Sequence, residues 1–376
     1  MPQPVAIIAV DIGGTKTRAG AVEVGALGAP LRAEAGLRAL QIPTPRANPG
    51  PFYDAIAQLV REVRAQAKQE GVVVLPLIGV AHPGRFLPDG TLARGTTPNL
   101  GETPGAFDGI APARELSRRL AADVVAENDA VAQMRFGLHA LLHDAVARAR
   151  LIHETVVYLG PGTGMGGGVA RVAADGGVTP VTDGHFFDLQ LPGGLTAEEA
   201  FTGPAIARAV AAANARLSVP IQPARAGGLD QVLCDPGSLP EHRTEAERLA
   251  DAHGEILATL IETIHAGAIT KVRLQTLPDG RILRHVDEPD RAWSAADRAM
   301  VRGTRRFILG GFVGTSQGLG PRVRDRALAV LRQRGLSEVE IVQIPVDSAD
   351  AGLLGAAHAI PADRVKNCRR AIARAR

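Results

Sequence analysis

The chain has 376 residues, a length that favours two domains, and its 45% hydrophobic and 22% charged residues are typical of a globular protein. The net charge of +3 is dispersed apart from a short basic tail, so nothing indicates a nucleic-acid partner. Two cysteines exclude a disulfide framework and a four-cysteine metal site. No apolar stretch is long enough to span a membrane and no signal peptide is evident, so we expect a cytoplasmic protein without a membrane partner.

The first predicted strand, residues 5–10, runs directly into a glycine turn with the sequence Asp11-Ile12-Gly13-Gly14-Thr15-Lys16. Glycines let a ligand approach the main chain closely, and the backbone N–H groups of such a turn can bind an anion. Mg²⁺ is usually held by one or two carboxylates together with substrate phosphates. Asp11 beside this turn therefore predicts a site for a nucleotide phosphate and Mg²⁺.

Predicted strands and helices alternate from the first turn to residue 130. The strand at 75–80 leads to Pro83-Gly84, and a short strand at 124–126 leads to Glu127-Asn128-Asp129. The other predicted elements of this part are strands at 18–24 and 32–42 and helices at 52–70 and 111–121. The alternation predicts a mixed α/β unit.

The later part of the chain repeats the pattern of a strand, a glycine turn and a returning strand. After a helix at 130–149, a strand at 155–159 precedes Gly160-Pro161-Gly162-Thr163-Gly164, and a third turn, Gly310-Gly311, follows a strand at 307–309. None of the turns fits the Walker A or the dinucleotide spacing, which disfavours a P-loop or Rossmann fold. Two such halves would hold phosphates from both sides. Further predicted elements are helices at 200–217, 245–264 and 320–333, a hairpin at 273–286, a strand at 339–344 and a last helix from 349.

Asn128-Asp129 has two interpretations, one structural and one catalytic. An aspartate between a strand and a helix can be the helix N-cap. It can also be a general base that takes a proton from a hydroxyl group as that group attacks a γ-phosphate, with Asn128 orienting the same substrate. The position of Asp129 between two phosphate turns favours the catalytic interpretation.

Taken together and in order, these motifs resemble those of the ROK sugar kinases. The resemblance is carried by Asp11–Lys16, Glu127-Asn128-Asp129-Ala130, the turn from Leu159 to Gly168, and Leu309-Gly310-Gly311. Pro83-Gly84 and Thr97-Pro98-Asn99-Leu100 resemble the sugar-side loops of the family, and the run from Asp347 to Ala357 resembles its closing motif. The resemblance implies an α/β protein with the two-domain actin-like ATPase (ribonuclease H-like) fold and an interdomain cleft.

The resemblance also implies cofactors and a role for each matched residue. ATP and Mg²⁺ are the expected cofactors, with Asp11 near the metal through the phosphates. A small-molecule sugar is the expected partner, and Asp129 is the expected catalytic base. ATP and its phosphates would be bound by Gly13, Gly14, Thr15, Lys16, Gly162, Thr163, Gly164, Gly310 and Gly311; the sugar would be bound by Gly84, Asn99, Asn128, Asp129, His185 and Glu198.

One region departs from the family pattern. Many members carry Glu-x-Gly-His followed by a cysteine-rich loop that binds structural zinc, whereas this chain has Thr182-Asp183-Gly184-His185 and no cysteine loop. We therefore expect no zinc site. Because a polar pocket discriminates by the hydroxyl groups that it satisfies, the missing glutamate leaves the sugar open, glucose-like or an N-acetylhexosamine.

The expected smaller domain spans residues 1–122 together with a C-terminal helix at about 352–376, and the larger domain spans 123–351. Residues 268–306 form a charged insertion, and the resemblance suggests a homodimer. We expect an ATP-dependent kinase that phosphorylates a hexose hydroxyl. Three alternatives stay open: a non-catalytic sugar or nucleotide sensor, a kinase for a non-sugar acceptor, and a family repressor, which is disfavoured because only ten residues precede Asp11.

Overall fold

Two large β-sheets flanked by helices, together with a small two-stranded sheet, make up the computed structural model of the chain. It describes residues 3–25, 30–33, 39–97, 100–103, 105–182, 186–270, 272–276, 282–286, 294–344 and 351–375. The chain divides into a first unit, Met1–Leu138 with Asp347–Arg376, and a second unit, His139–Val346.

The strands of the described residues are, in chain order, β1 Val5–Ile12, β2 Lys16–Val24, β3 Pro30–Ala33, β4 Leu40–Pro43, β5 Val73–His82, β6 Asp123–Asn128, β7 Thr155–Pro161, β8 Met165–Val172, β9 Val178–Thr182, β10 Val272–Thr276, β11 Ile282–Val286, β12 Arg306–Leu309 and β13 Glu340–Gln343. The helices are α1 Pro49–Gln69, α2 Pro112–Leu120, α3 Asp129–Leu142, α4 Ala145–Leu151, α5 Ala197–Ala200, α6 Gly203–Asn214, α7 Ala226–Cys234, α8 Pro240–His265, α9 Ala295–Val301, α10 Gly311–Thr315, α11 Leu319–Gln333, α12 Ala351–His358 and α13 Ala362–Ala375. None of these helices is both long and apolar enough to cross a bilayer.

The sheet of the first unit has the strand order β3-β2-β1-β5-β6, with β4 also paired to β2. Its central strand β1 is apolar on both faces, as expected of a strand with helices on both sides. β5 pairs in parallel with β1 and with β6, so that Asp11 lies opposite Ala81 and His82 lies opposite Asn128. The carboxyl ends of β1, β5 and β6 therefore meet at one edge of the sheet.

Helices cover both faces of this sheet. Phe52, Tyr53 and Ile56 of α1 are buried in the core on one face. On the other face Leu353 and Ala356 of α12 pack with Ile7 and neighbouring residues of β1 and β5. The end of the chain thus completes the core of the first unit.

The first unit includes β6 and most of α3, which the sequence analysis assigned to the larger domain. β6 forms a continuous parallel ladder with β5, from Leu77 opposite Asp123 to His82 opposite Asn128. The unit consequently continues past residue 122 to Leu138. A short strand such as 124–126 does not reveal in sequence which sheet it joins.

The sheet of the second unit has the order β13-β12-β7-β8-β9. β7 and β8 form an antiparallel hairpin whose last pair, Pro161 and Met165, encloses the second glycine turn. β12 lies parallel to β7 with Leu309 opposite Leu159, so the third glycine turn follows at the same edge. This parallel pairing brings together two turns that lie about 150 residues apart in the sequence.

Several predicted elements have different bounds in the structure. The strand predicted over 32–42 is represented by β3 and β4, and residues 34–38 are outside the described part. The helix predicted over 130–149 is two helices, because Asp144 caps α4 by accepting a hydrogen bond from Ala147 N at 2.8 Å. The predicted hairpin in the 268–306 insertion is present as β10 and β11, which pair from Val272 with Val286 to Thr276 with Ile282.

Two glycines of α12 pack closely against other elements of the first unit. A Cβ atom at Gly352 would meet the carboxyl end of the Asp11 side chain. Gly355, one turn further along α12, packs against main chain instead: a Cβ atom there would overlap the carbonyl group of Ala132 in α3, so only glycine lets the two helices lie this close. We expect Gly355→Ala to lower the melting temperature, because the overlap costs about 1–3 kcal/mol. The control is Gly227→Ala in α7, where the added Cβ meets its nearest atoms at 3.9 and 4.0 Å. An unchanged melting temperature for Gly355→Ala would contradict this packing.

Candidate functional site

Two carboxylates occupy the carboxyl edge of the first sheet. Asp11 lies near the end of β1, and Asp129 is the first residue of α3, directly after β6. Desolvation raises the pKa of Asp11, opposed by the charges of Arg18 and Lys16. Desolvation raises the pKa of Asp129 to about 6, and the negative charge of Asp11 adds to this effect. The two carboxylates are therefore close enough to repel each other.

A divalent cation fits this pair of side chains, because carboxylate oxygens are hard ligands of the kind that Mg²⁺ prefers. A cation between them would also offset their mutual repulsion. Lys16 adds a positive charge that acts on Asp11. Within the described ranges, no group of three or more histidine, cysteine, aspartate or glutamate side chains could hold a metal ion. The expected absence of a zinc site stays a prediction, since His185 is outside those ranges.

The first glycine turn projects from the sheet between β1 and β2. Gly14, Thr15 and Lys16 are exposed, and the turn is closed by a hydrogen bond from Gly13 N to Lys16 O at 2.9 Å. Thr44, the residue directly after β4, stabilises this turn by two hydrogen bonds. Its hydroxyl donates to Gly13 O at 2.6 Å and its N–H donates to Thr15 O at 3.1 Å. Nothing in the sequence marks Thr44 as part of the turn, because only the pairing of β2 with β4 brings it there.

Asn128, rather than Asp129, is the side chain that caps α3. Its Oδ1 accepts hydrogen bonds from Ala130 N at 3.0 Å and Val131 N at 3.2 Å. Its Nδ2 donates to Gly84 O at 2.9 Å, which ties the Pro83-Gly84 loop to the start of the helix. Asp129 Oδ1 also accepts from Ala130 N, at 2.9 Å. The helix-capping role that the sequence suggested for Asp129 is therefore filled mainly by Asn128.

Glu127 and Arg135 form a partly buried ion pair next to this motif. Arg135 Nε donates to both carboxylate oxygens of Glu127, at 3.0 and 2.9 Å. Desolvation raises the pKa of Glu127, and the guanidinium of Arg135 opposes the rise. Arg135 was not predicted as a partner of Glu127. The one signal in the sequence was its position as an arginine on the alanine-rich helix after Asp129.

The second unit carries the other two glycine turns. Gly162 N donates to Gly164 O at 2.9 Å, and Gly162 O accepts from Gly203 N at 2.8 Å. Glu198 lies against this turn, because its Oε2 accepts from Met165 N at 3.3 Å. Desolvation raises the pKa of Glu198, opposed by the bond from Met165 and supported by the charge of Asp188. Thr163 is the exposed residue of this turn.

The hydroxyl group of Tyr158 in β7 stabilises the third glycine turn, Gly310-Gly311. Gly310 N donates to Leu159 O at 2.8 Å, and Gly311 N donates to the Tyr158 hydroxyl at 3.2 Å. Tyr158 is 1% exposed. Tyr158 was not predicted as a site residue, although the one aromatic hydroxyl group in this apolar strand was a signal in the sequence. The structure thus brings Gly162–Gly164, Glu198 and Gly310-Gly311 to one edge of one sheet.

Two of the sequence-predicted site residues, Asn99 and His185, lie outside the described residues. Thr182, which replaces the glutamate of the family pattern, is the last residue of β9. Gly84 is placed beside Asn128, as its bond to that side chain shows.

The fold defined by these two sheets is shared with sugar kinases. The ROK hexokinase from Thermus thermophilus is 22% identical, with a TM-score of 0.54, and the match covers 96% of this chain and 99% of that chain. A ROK family glucokinase from Streptomyces griseus, in complex with glucose and AMPPNP, is 20% identical with a TM-score of 0.55, covering 94% and 98%. The expected class, an α/β two-domain actin-like ATPase fold, is therefore confirmed.

The sequence of the first part of the chain matches a family model. Residues 7–174 match the model of the ROK family, the family whose motifs the sequence resembles. A ROK family transcriptional regulator, a homologue of the Escherichia coli MLC protein, shares the fold at 12% identity and a TM-score of 0.61, over 98% of this chain and 80% of that chain. No protein of curated function matched the chain.

The raised pKa of Asp129 predicts how the stability of the ligand-free protein depends on pH. The pKa of Asp129 is about 6 in the folded protein, above its ordinary value of 3.8. The folded protein therefore loses stability as the pH rises from 3.8 to about 6, because the buried carboxyl must lose its proton. Asp129→Asn removes the buried charge, so we expect this variant to be more stable than the wild type at pH 8 by on the order of 2 kcal/mol. The difference is expected to disappear near pH 4.

Thermal unfolding of both proteins across this pH range measures the difference. Asp11→Asn is the informative second variant, because it removes the charge that helps to raise the pKa of Asp129. In that background the effect of Asp129→Asn should shrink. A gain in stability that is the same at low and high pH would contradict the assigned titration.

Proposed function

We propose that this protein is a sugar kinase of the ROK type, which transfers the γ-phosphoryl group of ATP to a hydroxyl group of a hexose. The observation that carries the proposal is the carboxylate of Asp129 at the carboxyl edge of the first sheet, with its pKa raised to about 6. A general base works best when its pKa lies near the working pH. At pH 7 this group is mostly ionised and still basic enough to accept a proton from a hydroxyl group.

Asp129 would take the proton of the acceptor hydroxyl as that oxygen attacks the γ-phosphorus and the bond to ADP breaks. Asn128 and Gly84 would hold the acceptor beside it, and they are joined by the hydrogen bond from Asn128 Nδ2 to Gly84 O. His185, Asn99 and Glu198 complete the proposed sugar-binding set. The glucose in the Streptomyces griseus neighbour supports a hexose as the acceptor class.

The glycine turns are the groups that would bind the nucleotide. Gly13, Gly14, Thr15 and Lys16 would contact its phosphates, and the exposure of Gly14, Thr15 and Lys16 leaves main-chain groups and the ammonium group accessible to an anion. Gly162, Thr163 and Gly164 are further proposed phosphate contacts, and Gly310-Gly311 would pack against the adenosine. The AMPPNP in the same neighbour supports ATP as the donor.

Asp11 is the residue that would hold Mg²⁺, through its carboxylate and the phosphates. When bound, the cation neutralises charge on the transferred phosphoryl group. With its charge compensated by the cation, Asp11 would repel Asp129 less, and Asp129 would stay ionised as a base. Lys16 adds to the positive charge on the side of Asp11.

The rival function is that of a non-catalytic sugar or nucleotide sensor, and a ROK family transcriptional regulator is among the structural neighbours. The retained acid at position 129, with a pKa suited to proton transfer, favours the kinase over that rival. An ATP-consumption screen over hexoses and N-acetylhexosamines separates the two. A sugar that binds without ATP consumption would favour the sensor, and an absence of turnover on every sugar would sink the sugar-kinase proposal.

Asp129→Asn is expected to reduce kcat at least a hundredfold, because the neutral amide cannot accept the proton. The matched control is Asp144→Asn, the same change at the N-cap of α4, where asparagine caps as well as aspartate and activity should be retained. Turnover that survives in Asp129→Asn would remove the proposed base.

The pH dependence of kcat/KM gives a second test of the same residue. We expect the wild-type value to fall as the pH drops through about 6, since protonation of Asp129 removes the base from the free enzyme. Asp11→Asn should move this fall to lower pH, because it removes a charge that raises the pKa of Asp129. An acid limb at the same pH in both proteins would assign it to another group.

A further inference from the structure

His82 is a buried titratable residue to which the proposed reaction gives no role. It is the last residue of β5 and is fully buried. The rings of Phe52, Phe86 and Phe107 surround it, with centroids 6.2 to 6.3 Å from the imidazole. A polar ring in such an apolar pocket costs free energy unless its nitrogens are hydrogen-bonded.

Both imidazole nitrogens of His82 have partners, and these partners determine its tautomer. The carbonyl of Pro83 can only accept, so Nδ1 carries the proton and donates to Pro83 O at 2.6 Å. Burial lowers the pKa of His82 to about 4, against the opposing effect of this bond, so the ring is neutral at pH 7. Nε2 therefore accepts from the Tyr53 hydroxyl at 3.0 Å. Burial and the charge of Glu115 raise the pKa of Tyr53, so the phenol keeps its proton.

The loop that His82 contacts has little conformational freedom of its own. Gly84 has a φ of +104°, and a Cβ atom there would lie 2.6 Å from Thr97 Cγ2. The Gly84 carbonyl accepts from Asn128 Nδ2 at 2.9 Å, and Asn128 Oδ1 caps α3 at Ala130 and Val131. Hydrogen bonds and the Pro83-Gly84 peptide thus connect Tyr53 in α1 with the start of α3, where Asp129 lies.

We propose that His82, held by Tyr53, is a positioning residue of the acceptor site. By donating to Pro83 O it orients the Pro83-Gly84 peptide, and through the Gly84 carbonyl it sets the amide of Asn128 beside Asp129. It touches neither substrate nor nucleotide in this role. The inference rests on the proposed function, because it assumes that the Gly84 loop and Asn128 face the acceptor.

Two substitutions separate the roles of the ring nitrogens. Asparagine places its amide near the position of Nδ1, and glutamine places its amide near Nε2. His82→Gln should raise the acceptor KM about tenfold, the equivalent of one lost hydrogen bond, with the KM for ATP changed less than about twofold. His82→Asn should restore most of the loss, because it keeps a donor for Pro83 O. Tyr53→Phe should raise the acceptor KM by a smaller factor, since the ring keeps its bond to Pro83.

His253→Gln is the matched control, because His253 in α8 is also a buried histidine and its Nδ1 lies 2.7 Å from Leu249 O. It makes the same change as His82→Gln at a position with no role in the proposed site, so its stability loss should be similar while the acceptor KM stays unchanged. A rise of the acceptor KM in His253→Gln equal to that in His82→Gln would show only general destabilisation and would overturn the proposal.

Nitrogen-15 NMR of the imidazole groups, with His82→Gln to assign the signal, tests the tautomer without any turnover. A proton on Nδ1 at neutral pH is the expected result, and a proton on Nε2 would overturn the chain of bonds. A wild-type protein with the Nδ1–H tautomer but no turnover on any sugar would refute the proposed function instead. An active wild type whose acceptor KM is unaffected by His82→Gln would refute the positioning role alone.

Discussion

The parallel register of β1, β5 and β6 is the constraint on which the first unit depends. Because Asp11 lies opposite Ala81 and His82 lies opposite Asn128, the segments that follow these three strands begin at the same edge of the sheet. They are a glycine turn after β1, the Pro83-Gly84 loop after β5, and the start of α3, with the carboxylate of Asp129, after β6. A shift of one residue in either ladder would send these side chains to the opposite face.

This arrangement places two repelling carboxylates where neither is fully hydrated. Desolvation raises the pKa of both Asp11 and Asp129, and the charge of Asp11 raises that of Asp129 further. Such a pair lowers the stability of the ligand-free fold and is typical of functional sites rather than of structural ones. Glu127, two residues before Asp129, lies in the opposite environment, because the guanidinium of Arg135 compensates its charge in a partly buried ion pair.

In the second unit, too, the pairing of parallel strands brings separate turns to one edge of a sheet. Parallel pairing of β12 with β7 brings the second and third glycine turns to one edge, and Tyr158 holds Gly311 there. Glu198 contacts the second turn through Met165 N, although it comes from a distant part of the chain. In both units a buried tyrosine hydroxyl fixes groups of the candidate site, while apolar packing supplies the surrounding rigidity.

The sequence by itself determined the glycine turns, their order, the acid that accompanies the first turn, and the resemblance to the ROK family. These features are local, because a glycine turn after an apolar strand needs only neighbouring residues to be recognised. The tertiary structure alone decided that Asn128 caps α3, that Thr44 braces the first turn, that β6 belongs to the first unit, and that His82 pairs with Tyr53. Each of these depends on strand register or on a side chain brought from a remote element. Hydration and hydrogen bonding, which determine pKa and tautomer, are set by that three-dimensional packing and not by neighbours in sequence.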